Sequence, residues 1–107
     1  MTINKLKILQ ELKLSLSNRL GENLVDMVLF GSQLSDHSNQ DSDYNILILL
    51  KNKTDRKLER EISDICYDIE LKYNILTDTY ILSKAELDTP RGKQSIFINA
   101  INQGLHA

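Results

Sequence analysis

Two polar side chains stand at the start of an apolar run, and their chemistry and spacing suit a metal ion. Asp43 and Asn45 flank the first residue of the run 44–50, "YNILILL". Because they are two residues apart, both side chains point to one face of an extended chain. Side-by-side oxygen donors suit Mg²⁺, which commonly bridges to substrate phosphates. The pair therefore predicts a magnesium site at the edge of a buried strand.

A Gly-Ser pair upstream could hold a phosphate. Gly31 and Ser32 directly follow the apolar run 24–30, "LVDMVLF". Glycine lets the backbone approach a ligand closely, and free backbone N–H groups at such a turn can bind an anion. The serine hydroxyl adds another donor. A Gly-Ser pair alone also fits a plain turn, so it gains meaning only in combination with Asp43 and Asn45.

A third oxygen-bearing side chain lies further along the chain. In the run 75–82, "ILTDTYIL", the alternation places Asp78 on a face otherwise made of leucine and tyrosine. An ionised carboxylate among apolar neighbours is costly unless a cation or hydrogen bonds compensate it. If 44–50 and 75–82 are neighbouring strands, Asp78 can join Asp43 and Asn45 around the metal.

Periodicity predicts the elements that position these groups. Leucines at helical spacing predict a first helix that buries Leu6, Leu9, Leu12, Leu16 and Leu20. The nearly continuous apolar run 44–50 predicts a strand covered on both faces, and hence central in a sheet. The predicted order is helix 3–20 with Thr2 as its cap, strands 24–30 and 44–50, helix 54–72, strand 75–82 and a last helix that ends at Gly104.

The segment before the last helix contains two start signals. "SKAE" at 83–86 has the spacing of a capping box, which predicts a short helical turn. "TPRGKQ" then restarts the chain, with Thr89 as a cap and Pro90 in the first turn. The last helix is expected to carry Phe97, Ala100 and Ile101 inward, and His106, near the end of the chain, is expected to be disordered.

Composition limits the classes of protein. A chain of 107 residues predicts one domain, 1–107. A net charge of −2 provides no general attraction to nucleic acid. The apolar runs are shorter than the roughly 18 residues of a membrane helix, so no membrane association is expected. The single cysteine, Cys66, has no internal disulfide partner, which fits the cytoplasm, and its helical position predicts a packed core thiol.

Together these residues resemble a known signature. Gly31 and Ser32, ten intervening residues, then Asp43-Tyr44-Asn45, resemble the GS-x10-D-x-D pattern of the minimal nucleotidyltransferases, a branch of the DNA polymerase β-like superfamily. "SDICYDIELKYNIL" and "FINAINQGL" also resemble small bacterial members. The resemblance implies an α/β nucleotidyltransferase fold, with a small mixed sheet of three to four strands backed by helices in the order α-β-β-α-β-α.

The same resemblance implies roles for the five residues. Gly31 and Ser32 would hold the triphosphate of ATP, and Asp43 would be the first Mg²⁺ ligand. Asn45 would be the second ligand, and Asp78 falls where a third carboxylate activates the attacking hydroxyl.

Two departures weaken this assignment. Asn45 replaces an acid and brings no negative charge, through natural loss or an engineered Asp→Asn change; it could also be an amide that hydrogen-bonds locally. Relatives often place arginine just beyond the Gly-Ser pair, where this chain has "QLS" at 33–35.

Two functions follow from the resemblance. One is a Mg²⁺-dependent enzyme that transfers AMP from ATP to a protein hydroxyl, as the antitoxin of a HEPN ribonuclease toxin. A few relatives modify tRNA instead, but this chain lacks the basic face that tRNA binding favours. The alternative is a catalytically weakened or inactive module of the same fold, which neutralises a partner protein by contact.

Overall fold

The computed structural model describes residues 5–31 and 44–106, which form a mixed α/β arrangement around a four-stranded sheet. The predicted site residues Ser32 and Asp43, and the predicted cap Thr2, lie outside this described part. Two short 3₁₀ turns, Gly21–Asn23 and Lys84–Asp88, connect longer elements. These are α1 (Lys5–Leu20), β1 (Leu24–Phe30), β2 (Tyr44–Leu50), α2 (Arg56–Tyr73), β3 (Thr77–Ser83), α3 (Ser95–Gln103) and β4 (Leu105–His106).

The sheet has the strand order β3-β2-β1-β4. β1 is antiparallel to both β2 and β4, whereas β2 and β3 run parallel. A parallel pair needs a crossover connection, and α2 provides it. β2 has a neighbour on each side and is buried on both faces, as its continuous apolar sequence predicted.

Alternate residues of the strands contribute to two separate apolar layers. On one face, α1 and α2 cover a cluster that includes Met27, Leu29, Ile46 and Ile48. On the other face, α3 covers a smaller cluster built on Val28, Phe30, Leu47, Leu82, Phe97 and Ala100. Odd-numbered residues of β2 therefore lie on the face that α3 covers, and Asn45 is one of them.

Polar contacts join α1 and α2 at the surface. Glu11 accepts hydrogen bonds from Lys72 and Tyr73, and Arg19 forms an ion pair with Glu61. The helices therefore run antiparallel. Because these groups are largely exposed, the ion pairs add little stability, and the packing beneath them dominates.

Asp55 begins α2 by accepting a hydrogen bond from the backbone N–H of Leu58 at 2.8 Å. Such a cap satisfies one of the donors left free in the first helical turn. The helix ends at Asn74, which takes the left-handed conformation with φ 54°.

Three features differ from the positions that the sequence predicted. Leu6 is 48% exposed, and Ile8 takes its predicted place in the core. β3 begins at Thr77, because the backbone N–H of Ile75 still bonds to Glu70 at the end of α2. Thr89 does not start the last helix, since its hydroxyl donates back to the Glu86 carbonyl oxygen at 2.6 Å; α3 begins only at Ser95.

The capping box, in contrast, is present. At the start of the turn Lys84–Asp88, the Glu86 carboxylate accepts hydrogen bonds from the backbone N–H and the hydroxyl of Ser83.

Within residues 5–31 and 44–106 we find no helix with the length and apolar character of a membrane span.

The prediction that His106 is disordered is wrong. His106 belongs to β4 and pairs with Val28 of β1. Its Nδ1 lies 2.5 Å from Asp26 Oδ2, and its Nε2 lies 2.9 Å from the Ile101 carbonyl oxygen. Both partners accept hydrogen bonds, so only the imidazolium, with a proton on each nitrogen, satisfies both at once.

We expect this contact to make stability depend on pH. The hydrogen bond to Asp26 raises the pKa of His106 above its ordinary value. The stabilisation is therefore full below the unfolded-state pKa of about 6.5, and is lost as pH rises through the higher folded-state pKa. The difference in melting temperature between wild type and His106→Ala should shrink as pH rises from about 6 to 8.5. A difference that stays constant over this range contradicts the charged contact.

Candidate functional site

The parallel pairing of β2 and β3 places two predicted site residues side by side. Asn45 and Asp78 are direct partners in the register, each the second residue of its strand. Directly paired residues project to the same face of a sheet. On the other side of β2, Asn45 pairs with Phe30, the last residue of β1. The ends of three segments thus converge at one place.

Asp78 is exposed, which differs from the apolar setting that the sequence predicted for it. The reason is its position at the edge of the sheet, one residue into an outer strand. Its Oδ2 accepts a hydrogen bond from the Tyr80 hydroxyl at 2.9 Å. Solvent and this hydrogen bond therefore compensate its charge.

Tyr80 is held in turn by aromatic contacts. Its ring centroid lies 5.7 Å from that of Phe30 and 5.8 Å from that of Phe97. The hydrogen bond to Asp78 raises the pKa of Tyr80. Since Phe97 belongs to α3, the position of the Asp78 carboxylate is linked to the packing of that helix. Sequence reasoning placed this tyrosine on the same face as Asp78 but gave it no role at the site; its spacing of two from Asp78 was the available signal.

Gly31 makes the turn next to Asn45 possible. It follows β1 with φ +83°, a conformation that L side chains rarely adopt. A Cβ atom at this position would lie 2.5 Å from Nδ2 of Asn45. Glycine is therefore required for two reasons, the backbone conformation and the space that the Asn45 side chain occupies.

A cavity of about 390 Å³ opens beside these residues. Phe30, Gly31 and Asn45 form its sheet side. Its other side is one face of α3, where Ile96, Asn99, Ala100 and Gln103 follow the helical spacing of three and four residues. Sequence reasoning placed Ala100 in the core and missed the two amides. The available signal was the mixed polar and apolar spacing at 96, 99, 100 and 103.

The described residues include two oxygen donors that could hold a magnesium ion. Asn45 offers an amide oxygen and Asp78 a carboxylate, both oxygen donors of the kind that Mg²⁺ prefers. Their shared register beside the open turn at Gly31 fits such an ion. In residues 5–31 and 44–106 no three His, Cys, Asp or Glu side chains group as metal ligands. Asp43, the predicted first ligand, and Ser32, the predicted phosphate contact, lie outside those ranges.

Cys66 takes no part in the site. It is buried beneath α2 in the cluster on the opposite face of the sheet. Burial raises its pKa to about 12, so the thiol stays protonated and is a poor nucleophile. This agrees with the predicted core position.

The fold and the paired residues at its edge define a nucleotidyltransferase type of domain. Residues 9–102 match the family model described as "Nucleotidyltransferase domain", and the chain belongs to this family. A protein of Methanocaldococcus jannaschii, named "Putative protein adenylyltransferase MJ0141", is 33% identical over 79 residues, which span 74% of this chain and 80% of that protein.

Solved structures support the same fold. Two crystal structures of mutants of the toxin-antitoxin MntA-HpeT contain chains that superpose on this one, with TM-scores of 0.60 and 0.56. The sequence identities are 18% and 20%. The alignments cover 97% and 99% of this chain, and 72% of each neighbour. At such low identity the likeness concerns the fold alone.

The two reasons for glycine at position 31 can be separated by comparison with Gly21. Gly21 also has a positive φ, +57°, but a Cβ there would meet nothing within 4 Å. Each Gly→Ala substitution should cost about 1–2 kcal/mol for the backbone conformation. We expect Gly31→Ala to cost more than Gly21→Ala in urea denaturation, because Asn45 must also move.

A double-mutant cycle tests the source of the extra cost. Combining Gly31→Ala with Asn45→Ala should recover about 0.5–1 kcal/mol relative to the sum of the single changes. Additive effects would show that Asn45 does not press on position 31.

Proposed function

We propose that this chain is a Mg²⁺-dependent nucleotidyltransferase that transfers AMP from ATP to a hydroxyl group of a partner protein. The observation that carries the proposal is the register pairing of Asn45 with Asp78 beside the positive-φ turn at Gly31. Membership of the nucleotidyltransferase family supports the reaction class. The name of the M. jannaschii relative supports a protein acceptor and adenylyl transfer.

In this proposal Asp78 has two tasks, and each of the other site residues has one. Gly31 and Ser32 bind the triphosphate, and Asp43, Asn45 and Asp78 hold Mg²⁺. The bound ion supplies neutralisation of the charge that develops on the phosphate oxygens. The acceptor hydroxyl transfers its proton to Asp78 as its oxygen bonds to the α-phosphorus. The bond between the α-phosphorus and its bridging oxygen then breaks, and pyrophosphate leaves.

Tyr80 assists by position. Its hydroxyl donates to one carboxylate oxygen of Asp78, and its ring is fixed between Phe30 and Phe97. The second oxygen of Asp78 has no hydrogen-bond partner in the part of the chain that the structure describes. That oxygen is the one available to the acceptor hydroxyl.

We further propose that the acceptor is the toxin of a toxin–antitoxin pair, of the HEPN type that the sequence signature implies. The solved neighbours come from a toxin-antitoxin complex. In one of them two aspartates, two positions apart, are replaced by glutamate. The spacing equals that of Asp43 and Asn45. Residues 1–107 would act as one domain in the cytoplasm, with nucleic acid as neither substrate nor partner.

Asn45 favours one alternative. The amide brings no negative charge to a site where carboxylates normally hold the ions. A module that binds nucleotide and toxin but transfers AMP slowly, or not at all, would fit the same fold. Restoring the acid separates the two functions.

The test uses ATP labelled at the α-phosphate, Mg²⁺ and the product of the gene adjacent to the one for this chain. We compare wild type with Asn45→Asp and Asp78→Asn, and use Asp64→Asn, an exposed position on α2, as the control. Asn45→Asp should increase label transfer at least about tenfold, because transition-state charge is better neutralised. Asp78→Asn should abolish transfer, and Asp64→Asn should leave it unchanged.

Each transfer result supports or contradicts one of these proposals. Transfer only by Asn45→Asp favours the weakened module over the active enzyme. Transfer that persists in Asp78→Asn contradicts the role of Asp78. No transfer by any form, with a toxin that binds the chain, contradicts the enzyme.

Binding of ATP can be measured apart from turnover. A ligand at about a hundredfold its Kd should stabilise the wild type by about 2.7 kcal/mol. Gly31→Val should remove this stabilisation, because the side chain fills the turn that the phosphates would approach. Gly21→Val is the matched control, since it imposes a positive-φ strain away from the site. Equal stabilisation of both variants by ATP would place the nucleotide elsewhere.

A further inference from the structure

The wall that α3 contributes to the cavity carries two amides. Asn99 and Gln103 are one helical turn apart and lie on the same face as Ile96 and Ala100. Both side chains are exposed, and neither has a hydrogen-bond partner within residues 5–31 and 44–106. Two neighbouring amides that face a cavity and lack partners among the described residues are available to a ligand.

The other surfaces of the cavity suit a flat, uncharged group. Phe30, Ile96 and Ala100 provide apolar walls, and none of the described lining residues is charged. The volume of about 390 Å³ lies within the range of about 300–1,000 Å³ that is usual for small-molecule sites. Gly31 and Asn45 mark one end, where the proposed function places the triphosphate. The opposite wall is therefore the place for the rest of the nucleotide.

We propose that this cavity receives the base of the nucleotide and that Asn99 and Gln103 select adenine. The inference rests on the proposed function and adds the residues that determine its substrate. A side-chain amide carries a donor and an acceptor side by side. Adenine presents the complementary pair, its N6 amino group next to N7, and Asn and Gln are the usual partners of that edge.

Guanine fits this wall less well. Its N7 and O6 are two adjacent acceptors, which arginine or lysine recognises best. The described lining of the cavity contains neither residue. A carboxylate that would accept from the amino group of cytosine is likewise missing from that lining.

Calorimetric binding of non-hydrolysable ATP and GTP analogues in the presence of Mg²⁺ tests the inference. Wild type is compared with Asn99→Ala and Gln103→Ala, and with Asn102→Ala as the matched control. Asn102 is an exposed asparagine of the same helix that does not line the cavity. Because all three positions are exposed, and alanine is the best helix former, the variants should fold like the wild type.

We expect wild type to bind the ATP analogue about tenfold or more tightly than the GTP analogue. Asn99→Ala and Gln103→Ala should each reduce this preference about tenfold or remove it, while Asn102→Ala keeps it. Gln103→Arg should shift the preference towards the GTP analogue, because arginine matches the two acceptors of guanine. That gain cannot arise from misfolding.

The experiment distinguishes failure of the base assignment from failure of the proposed function. Equal binding of both analogues, or a preference that Asn99→Ala and Gln103→Ala leave intact, overturns the base assignment and keeps the nucleotide site. If neither analogue binds, the proposed function fails, and the base assignment fails with it.

Discussion

The site depends on one interaction, the parallel hydrogen bonding between β2 and β3. This pairing sets Asn45 directly opposite Asp78, although the two residues are far apart in sequence. A shift of one residue along the strand would turn one of the two side chains to the opposite face of the sheet. The register is protected because both faces of β2 are packed. A shift of one residue would exchange its side chains between the two apolar clusters and turn the polar Asn45 towards the larger one. The packing of β2 in the centre of the sheet thus determines that Asn45 and Asp78 lie side by side at its edge.

The two faces of the sheet contribute differently to stability and to the site. α1 and α2 cover one face with the larger apolar cluster, which holds the strands in place. α3 covers only part of the other face, and the space it leaves becomes the cavity. Phe97 and Tyr80 connect these two roles, since the same aromatic packing that seats α3 also fixes the hydroxyl that holds the Asp78 carboxylate. The contact between Tyr80 and Phe97 therefore links the packing of α3 to the position of the Asp78 carboxylate.

Local patterns predicted the parts of the molecule that depend on local rules. The bounds of β1 and β2 follow from their apolar runs, and the shared face of Asp78, Tyr80 and Leu82 follows from the alternation along β3. The misses arise from tertiary contacts that no local pattern contains. β4 exists because Leu105 and His106 meet a strand from the other end of the chain, and the hydroxyl of Thr89 turns backward to a carbonyl oxygen instead of forward to a helix. The amides on α3 face the Gly31 end of β1, which is a tertiary relation that the spacing along α3 does not contain.

The brevity of β4 has a consequence for motion. Among the described residues two pairs join it to β1, and the members of each pair are separated by about three quarters of the chain. Few backbone bonds hold this short strand, so its local stability is lower than that of β1 and β2. Amide hydrogens of β4 should therefore exchange with solvent by local opening, while those of β1 and β2 require global unfolding.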